Sequence, residues 1–596
     1  MRKRFSYWMA LSLSGVIGCS AASSNEDSQS ESAPTPQLSA AGAAGSAAVG
    51  VSANVASGPV STSSRQTSPS VTPGAAAPAA PMTSASAPTT GAALPATTPA
   101  GTAGAAAPSV PATPPAMTMT EQFTDVGSNP FVVADIDPFS TFAADVDTAS
   151  YDVFRRNMEQ NAQLIPDSVR VEEFVNYFEY DYPAPAPSDE HPFKVDTAFA
   201  QNPFGRDTLL VRVGIQALQP QPDQRKQANL VFLVDTSGSM QSADKLPLVQ
   251  YLLTHSLEVL NTDDKVSIVT YSGNVSVALA PTPVVEKDKI RAAIASLAAG
   301  GGTNGAGGIQ LAYKQAEDQF IQDGINHVVL CTDGDFNIGI SNTDELVTLI
   351  KDKRTSGITL TALGFGLGNL NDAMMEKVSN AGNGMYSVIT SQTQASRYAE
   401  DRMLRTFLHV AKDMKIQVEW NPELVEGYRL IGYEDRAIAD MDFRDDAVDA
   451  GEVGAGHRVT ALYEVVPKGK EIPKVVGARI DMRAEKEPGE RELDTDDMIL
   501  VKVRYKKPGA GETDEAREVV LRAAGSDVPS FDEADDNLRY SAAIAAFAEI
   551  LKNSPYAAGD KLELLREVFE EQQERDIERK EFLTLFDKAV TRLPSP

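Results

Sequence analysis

Cysteine, histidine and tryptophan are nearly missing from these 596 residues, at two, five and two. Cys19 lies in the N-terminal leader and Cys331 inside an apolar run, so no structural disulfide is expected in any redox compartment. With so few histidines, no His-Glu-x-x-His and no Gly-x-Ser-x-Gly, zinc-protease and nucleophile-elbow chemistry lack their residues. His255 and His327 read as structural, on a helix and in a strand. Positive charge is short as well: 53 Lys and Arg face 82 Asp and Glu, a net charge of −29. That surface repels a phosphate backbone and excludes nucleic acid as a partner. Its most acidic run, 434–452, reads as a solvated loop.

The first residues read as an address. Arg2-Lys3-Arg4 precede an apolar stretch from Phe5 to Ile17. About a dozen apolar residues are too few to cross a bilayer, so 1–18 reads as a signal peptide. Val16-Ile17-Gly18-Cys19-Ser20 resembles the bacterial lipobox, which implies cleavage before Cys19 and acylation of that cysteine. Ser20, rather than Asp, implies sorting to the outer membrane and a lipid-anchored place in the cell envelope. Residues 19–120 are almost all Ala, Pro, Ser, Thr and Gly. Such a segment cannot bury enough surface to offset its ordering entropy and is expected to be a disordered tether.

The richest signal lies at 229–240, Asn-Leu-Val-Phe-Leu-Val-Asp-Thr-Ser-Gly-Ser-Met. An unbroken apolar run predicts a strand buried on both faces of a parallel sheet. Asp235, Ser237 and Ser239 then fall where the chain leaves the sheet's carboxyl edge, the ligand-binding side of open α/β folds. Two later segments add oxygens of the same kind. Thr303 follows the glycines 300–302, and Asp333 ends a second apolar run at 327–332. Carboxylates and hydroxyls are hard donors that suit magnesium, manganese or calcium and are wrong for zinc or copper. In this order and spacing, Asp235-x-Ser237-x-Ser239, Thr303 and Asp333 resemble the metal-ion-dependent adhesion site of the von Willebrand factor type A domain. The resemblance implies a divalent cation, magnesium first, whose open position takes a Glu or Asp from a protein partner. A phosphate loop is set aside because no Gly-Lys-[Ser/Thr] follows the glycines. Glycines 364, 366 and 368 read as a tight turn, because Asn369 stands where a dinucleotide fingerprint needs its next glycine.

Around this motif, strands at 230–235, 266–271, 327–332, 358–364 and 385–389 alternate with helices at 246–257, 287–299, 309–320 and 344–353. That alternation predicts an α/β domain over 226–400, a doubly wound, mostly parallel, Rossmann-like sheet. Residues 121–225 form a smaller region in which Asp145 and Asp147 read as caps of a helix rather than a metal pair. There Val171, Phe174, Val175 and Phe178 mark a packing face at helical spacing. Over 401–596 the pattern becomes β-rich, with strands at 415–420, 428–433, 458–466 and 500–505 expected to be exposed on one face, ending in helices at 538–551 and 561–575. Both flanks resemble those of a bacterial lipoprotein subgroup of A-domain proteins. The functional expectation is a lipid-anchored, extracytoplasmic protein that binds a protein partner through the cation and is not an enzyme. Its alternative is a structural envelope protein in which the metal only stabilises the A domain. Metal-assisted hydrolysis would need a base near the open position, and Asp335, which reads as a turn cap, is the nearby carboxylate.

Overall fold

A strand with no polar face needs cover on both sides, and Ala228–Asp235 has it, with all eight residues buried. The computed structural model describes residues 121 and 123–593, apart from 220–224, 335–342, 367, 369, 449, 484–490, 494–495 and 512–513. Cys19, the tether and Asp335 therefore lie outside the described residues. Ala228–Asp235 occupies the middle of a six-stranded sheet ordered Tyr386–Ile389, Thr359–Phe365, Ile325–Thr332, Ala228–Asp235, Lys265–Tyr271 and Val275–Pro283. Every neighbouring pair is parallel except the last, an antiparallel hairpin. Leu246, Val249, Leu252 and Leu253 cover one face, while Ile309, Tyr313, Ile350 and Met375 cover the other. This is the doubly wound α/β arrangement expected from the alternating pattern.

One strand and two α-helices of this domain escaped the sequence pattern, the short helix Gln392–Arg397 among them. The edge strand Val275–Pro283 carries prolines at 281 and 283, which weaken a strand signal but are tolerated at an edge. Helix Asp372–Ala381 begins under an Asn371 cap whose side chain accepts from the Met374 N–H. Cys331 is a buried core residue, as expected.

The stretches before and after this domain are woven together. One sheet runs Ile480–Asp481, Phe131–Val133, Val425–Ile431, Arg458–Pro467, Leu209–Ala217 and Phe193–Gln201. In the other, Phe139–Ala143 and Ile499–Lys506 both pair with the long strand His409–Trp420. Trp420, Tyr428, Tyr463, Ile416 and Val501 share one core between these sheets. Strands from both flanks thus build common sheets, and the α/β domain is inserted between Leu209–Ala217 and His409–Trp420. Helices Asp536–Leu551, Leu562–Gln572 and Ile577–Val590 join Ala149–Glu159 and Val171–Tyr177 in a second core, which holds Val171, Phe174, Val175 and Phe178.

Three expectations are corrected here. The alternating strands do not turn a polar face to water: Glu419, Arg429, Glu464 and Lys502 are all buried. Arg429 bonds Glu549 Oε1 at 2.8 Å and Glu464 Oε2 at 3.1 Å, and its guanidinium carbon lies 3.9 Å from the Tyr556 ring centroid. Helices Val171–Tyr177 and Asp536–Leu551 pack on the strand that bears Glu464. Glu419 accepts from the Glu492 and Leu493 N–H groups and Lys502 meets Glu492, so these charges are paired inside the protein rather than solvated. Asp145 and Asp147 do not cap the helix either, because Thr148 holds the cap position without a side-chain bond. Instead Asp147 Oδ1 accepts from Tyr386 N at 2.9 Å and Asp152 Oδ2 from Val388 N at 3.4 Å. Two carboxylates thereby occupy the outer edge of the Tyr386–Ile389 strand, an edge that would otherwise present open N–H groups. Finally, much of the acidic run 434–452 is tied down. Arg436 reaches Asp145, Asp147 and Glu376 at 2.9, 3.2 and 3.2 Å, Asp435 meets Arg170 at 3.3 Å, and Glu434 meets Lys552 at 3.2 Å.

Burial, opposed by Arg402 and Arg155, pushes the Asp152 carboxyl up to about 7. A raised carboxyl stabilises the fold fully below its unfolded value and loses that contribution as the pH climbs through the folded one. The stability advantage of wild type over Asp152→Asn should therefore shrink by roughly 2–4 kcal/mol between about pH 4 and 7, then stay flat. Parallel urea unfolding at each pH reads it, and a difference independent of pH would contradict it.

Candidate metal centre

At the carboxyl end of Ala228–Asp235 the chain leaves a strand flanked by Ile325–Thr332 on one side and Lys265–Tyr271 on the other. Connections depart in opposite directions there, which opens a crevice at the strand ends. Asp235 fills the base of it. Its Oδ1 accepts the Ser237 N–H at 2.8 Å, a local turn that curls the loop back on itself. The turn brings Ser237 Oγ within 2.9 Å of Ser239 Oγ. Asp235 Oδ2 accepts the Thr332 hydroxyl from the next strand at 3.1 Å. On the other side, the Thr236 N–H and hydroxyl both donate to the Tyr271 carbonyl, at 2.9 and 3.1 Å.

Backbone bonds dock the glycine loop onto this turn. Gly300 N donates to Thr236 O at 2.8 Å, and Gly238 N donates to Gly301 O at 3.1 Å. Gly301 adopts φ +88°, a left-handed conformation that side chains resist. Thr303 follows, half-buried, just before the Asn304 cap of helix Gly305–Asp318. Asp333 stands one residue beyond Ile325–Thr332, and its Oδ2 accepts from Lys245 Nζ at 2.8 Å.

The structure thus joins Asp235, Ser237 and Ser239 directly and places Asp333 and Thr303 on the two adjoining loops. Both carboxylates and Ser237 are buried while Ser239 is exposed, so charge lies deep and the Ser239 end of the loop faces solvent. Burial first, and then the Asp333 charge, raise the Asp235 carboxyl to about 6, against hydrogen bonds from Ser237 and Thr332 that lower it. Among the described residues no group of three or more His, Cys, Asp or Glu could hold a metal. A cation here would depend on the hydroxyls, and the donors present fit a hard divalent ion. His255 and His327 stand in structural bonds, to Tyr251 O at 3.0 Å and Thr359 Oγ1 at 2.6 Å. Sequence reasoning missed Lys245, Thr332 and Tyr271. A lysine just ahead of an amphipathic helix resembles any surface lysine, and Thr332 and Tyr271 are hidden in apolar strands.

Family models mark the same divisions. One described as "von Willebrand factor type A domain" matches residues 229–400, and one described as "von Willebrand factor" matches 117–212. A third, described as "Uncharacterized protein YfbK, C-terminal", matches 405–591. Protein YfbK of Escherichia coli (strain K12) is 36% identical over 482 residues, spanning 79% of this chain and 81% of its own length. The chain belongs to the YfbK family of von Willebrand factor type A domain proteins. Human inter-alpha-trypsin inhibitor heavy chain H4 shares 25% identity over 181 residues, which are 29% of this chain and 19% of that protein. A solved von Willebrand factor type A structure from Catenulispora acidiphila covers 68% of this chain and 88% of its own, at 15% identity and a TM-score of 0.37. In this YfbK-family chain the five oxygen-bearing positions all fall within the segment that the type A model matches.

A cation held at this site would compete with protons for the Asp235 carboxylate. Its affinity for manganese should be level above about pH 7 and fall about ten-fold for each unit below about 6. Titration calorimetry across pH 5–8 checks this, and an affinity that stays constant down to pH 5 would count against Asp235 as the ligand.

Proposed function

We propose that this protein is a lipid-anchored, extracytoplasmic binding protein that holds an acidic residue of a protein partner through a divalent cation, magnesium first. The observation that carries the proposal is the convergence of Asp235, Ser237 and Ser239 at the switch point, with Asp235 and Ser237 buried and Ser239 exposed. Ser237, Ser239 and Thr303 would hold the ion with neutral oxygens, and Asp235 and Asp333 would neutralise it directly or through water. The ion supplies electrophilicity: hydroxyls donate weakly, so it keeps its appetite for one more anionic oxygen. The chain's own residues orient that opening, since Gly238 and Gly301 fix the two loops against each other. The work done is binding rather than catalysis, and the partner is a protein.

Cys19 supplies the anchor in this proposal. Several acyl chains, each contributing about 0.8 kcal/mol per buried CH₂, would hold the protein at the outer membrane. Cys19→Ser should release it into the soluble fraction and abolish labelling by palmitate fed to cells; unchanged membrane association would end the anchor proposal.

For the metal, calorimetry with magnesium, manganese and calcium should give a single site that Asp235→Ala removes. A titration of that variant identical to wild type would refute the centre. Partner capture from detergent extracts should be lost in EDTA and with Ser237→Ala. Capture indifferent to both would favour the structural-envelope reading, which the shared sheets of the flanks also suit.

A further inference from the structure

Lys245 belongs to no part of the five-residue oxygen motif, yet its ammonium group meets one of the motif's carboxylates. Its Nζ lies 2.8 Å from Asp333 Oδ2, with the lysine side chain 9% exposed and the aspartate 0%. The stem is held as firmly as the head. Gly366, at φ +77°, lies against it so closely that a β-carbon there would collide with the lysine methylenes. Pro247 follows at the start of helix Leu246–Ser256 and fixes the backbone that delivers the side chain. Burying a lysine and an aspartate together costs desolvation that a neutral pair would avoid, and such pairs are weak contributors to stability. Its position beside a cation centre suggests a role in the charge of that centre.

We propose that Lys245 makes the centre demand an anionic ligand, an inference that rests on the cation reading above. Among the described residues of the centre, Asp235 and Asp333 carry two negative charges, and Lys245 returns one of them. A divalent ion would bring the group to +1 rather than zero. One carboxylate from a ligand would then restore neutrality, whereas with the lysine charge gone the ion and the two aspartates would already balance. Lys245 also holds one Asp333 oxygen, which keeps that carboxylate from giving both oxygens to the ion. It is a positioning residue: it weakens the hold on the metal and strengthens the hold on the guest.

The test uses the full chain with manganese and acetate as probes. Lys245→Met keeps the stem and removes the charge; Lys245→Arg keeps the charge. Calorimetry should show manganese binding about ten-fold tighter in Lys245→Met and within about three-fold of wild type in Lys245→Arg. Acetate, followed by the loss of water-proton relaxation from the manganese-loaded protein, should bind about ten-fold more weakly to Lys245→Met. Metal affinity unchanged or reduced in that variant, or acetate affinity unchanged, overturns the inference while leaving the metal centre standing. If wild type binds no manganese at all, the centre and the inference fail together. Should Lys245→Met not fold, by thermal melting without metal, Lys245→Gln decides with the same expected signs.

Discussion

Everything at the candidate centre depends on one buried carboxylate at the end of a strand that is hydrogen-bonded on both sides. Asp235 uses one oxygen to turn its own loop, through the Ser237 N–H, and the other to reach Thr332 on the neighbouring strand. A charge so enclosed is unfavourable by itself, as its raised affinity for a proton shows. The fold tolerates it because one donor stands on the neighbouring strand and the other in the turn that the carboxylate itself closes. The same two bonds set where Ser237 and Ser239 stand, so the geometry of the hydroxyls follows from the chemistry of the base.

The central domain was legible because its strands are covered on both faces and its helices on one. Those two demands leave different periodicities, and five of the six strands declare themselves as short, largely apolar runs between helical segments. Val275–Pro283 did not, since an edge strand with prolines and exposed Val277 follows neither pattern. The oxygen positions were legible from order and spacing, and the loops that bear them do adjoin. Lys245 was not, because its importance comes from Asp333, 88 residues away in the chain.

The flanks taught the opposite lesson. Alternation of apolar and polar residues is the signature of a half-solvated strand, yet here the polar positions are buried, Arg429 against Glu464 and Glu549 and Glu419 against the segment at Glu492. Pattern alone reports that two faces differ; it does not report what covers the second. Likewise Asp145 and Asp147 carry the composition of a helix start but are used by Arg436 and by the open edge of the α/β sheet. Short acidic side chains bond backbone N–H groups wherever these are exposed, at helix ends and at sheet edges alike.

The insertion of the α/β domain between Leu209–Ala217 and His409–Trp420 bears on how the chain acquires its shape. Strands on either side of the insert must find one another across the residues that separate 217 from 409, and closing so long a loop is slow and entropically unfavourable. The inserted domain is assembled largely from strand–helix–strand units near in sequence, so it can order first. Once ordered, it turns a long flexible gap into a rigid splint whose two ends start and finish at the same sandwich.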